Sequence, residues 1–150
     1  MNIKLDPGAF VPTKGTDRSV GYDLAVLSYE IKETLWAPIL IIKTGVYLDM
    51  STTHGFQTCG LVFPRSSAGM RGLVLANTVG VVDTDYQGEI EIRCSSWPKT
   101  PDGTVDLQVG ERVDQIVFLP IISPNFIAVN EFTKTGRGSS GWGSTGRGAD

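Results

Sequence analysis

Two carboxylates stand one residue apart in "GVVDTDYQGEI", residues 80–90, where a run of valines gives way to Asp83, Thr84 and Asp85 ahead of Tyr86, Gln87 and Gly88. Asp, Gln and Gly suit a tight turn, with Val81, Val82, Ile90 and Ile92 as the flanks of a hairpin. Two carboxylates at such a tip could instead hold a metal or activate a water. The single histidine, His54, sits in the turn-like "MSTTHGF", which reads as a surface loop, and no Cys and His cluster has zinc spacing. Any general base here is expected to be a carboxylate. Three more segments join charge to glycine or proline: "SVGYDL" with Asp23, "PRSSAG" with Arg65 and Ser66, and "GERVDQIVF" with Gln115. Each alone reads more readily as a turn, a cap or a solvated edge, and only their joint order carries weight.

The elements that must position these residues are strands. Short apolar runs recur between turn residues, in "GYDLAVLSYEI", "APILIIKTGVYLDM", "GLVFPRSS", "RGLVLANTVGVVD", "GEIEIRC", "ERVDQIVFLPII" and "NFIAVNEF". Most are rich in Val and Ile, and none holds a 3.6-residue period long enough to require a major helix. In "GEIEIRC" the apolar residues alternate with Glu89, Glu91 and Arg93, as in a strand with one wet face. Such a chain closes as a sandwich or barrel. At 150 residues it makes one domain with one core.

Thirteen Lys and Arg against sixteen Asp and Glu leave a net charge of −3, which argues against nucleic acid as a partner but leaves a small anion open. The first residues, "MNIKLDPGAF", have no apolar export signal, and nothing approaches an 18-residue apolar span. The expectation is a protein with no membrane partner, cytoplasmic or, in a eukaryotic or viral-host setting, nuclear. Cys59 and Cys94 accordingly read as reduced thiols. From Thr133 the chain turns to "TKTGRGSSGWGSTGRGAD", which cannot pack a core and by composition reads as a disordered tail. Trp142 and the mixture of glycine, arginine and hydroxyls resist that reading, because exposed backbone N–H groups beside arginines suit phosphates. The division is a core over 1–132 and an arm over 133–150.

In this order, "GYDL", "PRSSAG", "GVVDTDYQGEI", "GERVDQIVF" and "GRGSSGWGSTG" resemble the five motifs of the trimeric dUTP diphosphatase (dUTPase) family, over about residues 8 to 147. The resemblance implies an all-β, jelly-roll-like (β-clip) subunit with a glycine-rich C-terminal arm, assembled as a homotrimer with active sites between subunits and the arm closing over a site. It implies Mg²⁺-dependent hydrolysis of dUTP to dUMP and pyrophosphate. Asp83 matches the carboxylate that deprotonates the water attacking the α-phosphorus. Tyr86 matches the aromatic that packs on deoxyribose and excludes a 2′-hydroxyl. The backbone between about Asn77 and Tyr86, Val82 included, matches the hairpin that reads uracil, and Asp85 is left to stabilise the turn. Asp23 and Gln115 match residues holding Mg²⁺ through its waters. Arg65, Ser66 and Ser67 match phosphate contacts, Arg137 with Gly138 and Ser139 matches a clamp on the terminal phosphates, and Trp142 matches the ring that stacks on uracil.

The sequence departs from the family pattern in places. Asp114 stands where a small apolar residue, often alanine, is usual, and a carboxylate beside Mg²⁺ or the phosphates would change metal affinity. "SSAGM" replaces the commoner run in the second motif, and Trp142 stands where phenylalanine is commonest. Two alternatives remain open at this point: a dCTP deaminase-type enzyme of the same architecture, and a catalytically inactive relative kept as a regulatory binding module. "DTDYQG" and the arm favour the diphosphatase, and the zinc-deaminase pattern is absent.

Overall fold

A computed structural model describes residues 1–51, 55 and 57–139; His54 and Trp142 lie outside the described residues. The chain is an all-β, jelly-roll-like sandwich in which every paired strand runs antiparallel. One sheet has the order β1 (Asn2–Leu5), β4 (Ile39–Asp49), β8 (Glu89–Ser96), β6 (Val74–Leu75), with β3 (Ser28–Lys32) also on β4. The other has the order β2 (Tyr22–Ala25), β9 (Arg112–Pro120), β5 (Thr58–Pro64), β7 (Gly80–Val82). Strand β4 is long enough to carry β3 along its first half and β1 along its second. One short helix, α1 (Ser66–Met70), joins β5 to β6.

The core lies between the sheets, where Leu24 and Val26 of the β2 region meet Leu40, Ile42, Ile92, Val113 and Ile116. Strand β8 keeps the alternation written in its sequence: Ile90, Ile92 and Cys94 are buried while Glu89, Glu91 and Arg93 face outward. Both cysteines are free thiols, and burial pushes the Cys94 thiol up to about 12.

Three expectations fail. The stretch 80–90 is not a hairpin, because β7 takes its ladder from β5 while β8 pairs with β4 and β6. Strands β6 and β8 are neighbours, and between them the chain leaves to lay β7 on the opposite sheet. The loops at 76–79 and 83–88 therefore cross between sheets, and the same holds for the expected uracil-reading hairpin from Asn77 to Tyr86. The run "NFIAVNEF" forms no strand: after Pro120 the described chain has none, and Phe126 and Phe132 are 95% and 90% exposed. An apolar run needs a neighbouring edge to become a strand, and among the described residues this one pairs with none. Thirdly, Asp85 is not what holds its turn. Thr84 Oγ1 donates to the Thr58 carbonyl at 3.0 Å, and Tyr86 N donates to the Asp83 carbonyl at 3.1 Å.

Candidate active site

Strands β2 and β9 set Asp23 directly opposite Gln115. Both face a pocket of about 320 Å³ that Arg65 and Ser66 line from the β5–α1 junction and Gly15, Ser19 and Gly21 line from the loop before β2. Asp23 is largely buried, yet it is fully compensated: Arg65 Nε lies 3.0 Å from Oδ1 and Arg112 Nη1 lies 3.1 Å from Oδ2. Arg65 Nη1 also donates to the Arg112 carbonyl at 2.9 Å, which ties the two arginines together. Two guanidinium groups against one carboxylate leave this corner with an excess positive charge, suited to a polyphosphate. Each carboxylate oxygen keeps a further acceptor site. With the Gln115 amide oxygen, the donor set is one of hard oxygens that fits the waters of hydrated Mg²⁺. Among the described residues no group of three His, Cys, Asp or Glu could grip a metal directly.

Arg112 was not among the residues singled out from sequence, and the reason is a bulge. The β2–β9 register shifts between Leu24 and Ala25, so Val113 and Asp114 are both buried and Arg112 returns to the face of Gln115. Simple alternation would have sent Arg112 to the core side. Gly21 was missed too: a Cβ there would stand 2.9 Å from Gln115 Cδ and 3.0 Å from its Cβ, and closer still to the amide oxygen. The side chain of Gln115 lies against a bare glycine.

The same register decides Asp114 differently from the expectation. Its side chain is fully buried, both carboxylate oxygens lack a partner, and it acts electrostatically on Cys94 of the opposite sheet. It points into the core, so it adds no carboxylate to the pocket of Asp23 and Arg65. Burial pushes its carboxyl up to about 7.

A second cavity, also about 320 Å³, is lined by Asn77, Gly80, Val82, Asp83 and Tyr86 together with Val62 and Glu89. Asp83 is exposed at the end of β7, and Val82 beside it is buried. Tyr86 is 44% exposed, with its hydroxyl donating to the Glu89 carbonyl at 3.0 Å. The loop entering β7 is strained: Thr78 has φ of 62°, unusual for a β-branched residue, and Val79 N donates to the Asn77 carbonyl at 2.6 Å.

The two cavities share no lining residue. Val82 pairs with Gly60 and Asp114 with Pro64, so about 13 Å of β5 separates the Asp83 end from the Arg65 end. Ser67 is exposed on α1 and lines neither cavity. Arg137, Gly138 and Ser139 are exposed, with Gly138 N donating to the Thr135 carbonyl in a turn, and they lie in neither cavity.

Residues 8–146, spanning both cavities, match the family model described as dUTPase. The chain belongs to the dUTPase family. Relatives named deoxyuridine 5′-triphosphate nucleotidohydrolase from Legionella pneumophila (strain Paris) and Acinetobacter baylyi are 36% and 38% identical over 138 residues. Those alignments cover 91% of this chain and 87% and 88% of the relatives. Among solved structures, the dUTPase of Staphylococcus bacteriophage 80alpha with dUPNHPP superposes at a TM-score of 0.77 and 24% identity, covering 97% of this chain and 98% of that one. A mutant dUTPase from phage phi11 of S. aureus, solved for the coordination of a structural Mg(II) ion, gives 0.68 at 22% identity, covering 87% and 97%. Those two likenesses show that the sandwich is the dUTPase fold.

Proposed function

We propose that the chain hydrolyses dUTP to dUMP and pyrophosphate by attack of water on the α-phosphorus, keeping uracil out of DNA and supplying dUMP for dTMP synthesis. The observation that carries this is the sharing of one cavity by Asp83 and Tyr86, a carboxylate and a sugar-sized aromatic. Asp83 takes the proton of the attacking water. Tyr86 packs on the deoxyribose, and the backbone of the strained 77–82 segment pairs with the edge of uracil. A site built on such pairing rejects an analogue by roughly 10⁴-fold, because cytosine leaves polar atoms unpaired.

The phosphates belong to the other pocket. Arg65 and Ser66 meet them there, Ser67 reaches them from α1, and Asp23 with Gln115 holds the waters of Mg²⁺. Bound Mg²⁺ neutralises charge on the triphosphate. The arm over 133–150 closes the site, with Arg137, Gly138 and Ser139 on the terminal phosphates and Trp142 on the base.

The working enzyme is a homotrimer, in which the Asp83 cavity of one copy meets the Arg65 pocket of another. Two features support this: the span of β5 between the two cavities, and the exposed apolar side chains Ile122, Phe126, Ile127 and Phe132, which need a partner surface. Among the described residues no helix is long and apolar enough to cross a membrane, and a cytoplasmic or nuclear site of action suits the substrate.

Pyrophosphate release from dUTP, dCTP, dTTP and UTP tests the reading. Turnover confined to dUTP is the expected result. Ammonia released from dCTP, or equal hydrolysis of all four, would overturn it.

A further inference from the structure

Tyr86 does not stand alone in its cavity. Two residues further on, Gly88 lies under its ring: a Cβ built on Gly88 would stand 2.5 Å from Tyr86 Cζ and 2.9 Å from Cε2, and closer still to the hydroxyl. Carbon atoms in ordinary contact stay beyond about 3.5 Å, so a methyl group and this ring position exclude each other. The backbone does not ask for glycine here, since Gly88 is not among the residues with positive φ. The requirement comes from the ring. A second constraint acts at the same end of the ring, where the hydroxyl donates to the Glu89 carbonyl at 3.0 Å. A side chain that is 44% exposed would otherwise be free to change rotamer. Seated on Gly88 and tethered to the backbone of Glu89, it holds one position at the cavity wall.

We propose that Gly88 is a specificity-determining position: by lacking a side chain it seats the Tyr86 ring, and the seated ring decides whether a 2′-hydroxyl fits. Gly88 is thus a positioning residue acting through Tyr86. The proposal rests on the dUTP reading, in which Tyr86 is the wall against the sugar. Adding a methyl group at Gly88 displaces the ring outward from its seat, since the ring is the part free to move. The displaced ring opens room for a ribonucleotide and loses contact with deoxyribose, so selectivity falls from both sides.

The experiment is the ratio of kcat/KM for dUTP to that for UTP in the full-length protein. In Gly88→Ala the ratio falls by roughly 10-fold or more, while the thermal midpoint stays within a few degrees of the parent. In a Tyr86→Ala background, adding Gly88→Ala leaves the ratio where Tyr86→Ala alone put it, because the seat has no ring to hold. Tyr86→Phe keeps the seat and removes the tether, so its ratio falls by a smaller factor, and this exposed position gives a readout even if Gly88→Ala folds poorly. An unchanged ratio in folded Gly88→Ala, a further drop in the double variant, or an unchanged ratio in Tyr86→Phe would overturn the proposal. A parent enzyme that hydrolyses UTP as well as dUTP would instead remove the underlying reading of Tyr86.

Discussion

The two cavities are built on opposite plans. In the pocket proposed for the phosphates the central pair is set by the ladder: Asp23 and Gln115 are cross-strand partners, and the buried carboxylate is already neutralised by Arg65 and Arg112. In the other cavity Asn77, Asp83 and Tyr86 stand on loops that cross between sheets, and Asp83 makes no ion pair among the described residues. Charge that only has to be held still is paired and rigid. The charge proposed to accept a proton is left exposed to solvent at a strand end. Yet both halves solve one problem alike, since Gln115 lies against Gly21 and Tyr86 against Gly88.

The sharpest break in this comparison is Asp83→Asn. It should lower kcat about 10³-fold while leaving the binding of a non-hydrolysable dUTP analogue largely intact, as read by calorimetry. Retained turnover would show that the proton is taken elsewhere. Removing residues after Thr135 should cut turnover about 10²-fold without altering the sedimentation of the proposed trimer, since the arm's proposed part is closure and the exposed apolar residues proposed for assembly, Ile122, Phe126, Ile127 and Phe132, are kept. An unaffected rate would make the arm a passive appendage. Gly21→Ala should be milder, roughly 10-fold, and should appear as a raised Mg²⁺ requirement with the dUTP-to-UTP ratio unchanged, separating the phosphate-end glycine from the nucleoside-end one.

Asp114 makes the smallest catalytic and the largest pH-dependent difference. Its folded-state carboxyl is raised to about 7 from 3.8, so its contribution favours folding at low pH and is lost as pH climbs through that window. Relative to the parent, Asp114→Asn should therefore gain stability from near zero at about pH 4 to roughly 4 kcal/mol at about pH 8, with kcat unchanged. Denaturant melts at several pH values would check this, and a flat difference would place the carboxylate in solvent.

Strand β8 and the all-β class were legible because alternation in Ile90, Ile92 and Cys94 survives into the sandwich. The excursion of β7 was not, because Val81 and Val82 read the same whether their ladder partner is β8 or β5. The bulge opposite Leu24 and Ala25 was equally hidden, and with it the roles of Arg112 and Asp114, whose faces depend on one extra residue in the register. The Gly21 seat escaped notice since nothing local marks a glycine as lying under a side chain that arrives from another strand, and the Gly88 seat since the sequence does not say that Tyr86 folds back over it. Asp83 was read as a site residue and the structure sets it at a cavity wall beside Tyr86, while the turn's anchor is Thr84, a contact with β5 that no short-range pattern encodes.

The central claim is that one active site draws Asp83 and Arg65 from different copies of the chain. Co-refolding Asp83→Asn with Arg65→Gln, each inactive alone, tests it most directly. An equimolar mixture should recover about a quarter of parental activity, because in each mixed trimer one site then combines an intact carboxylate with an intact arginine. If both groups served a site within one chain, every mixed trimer would stay as inactive as its parts.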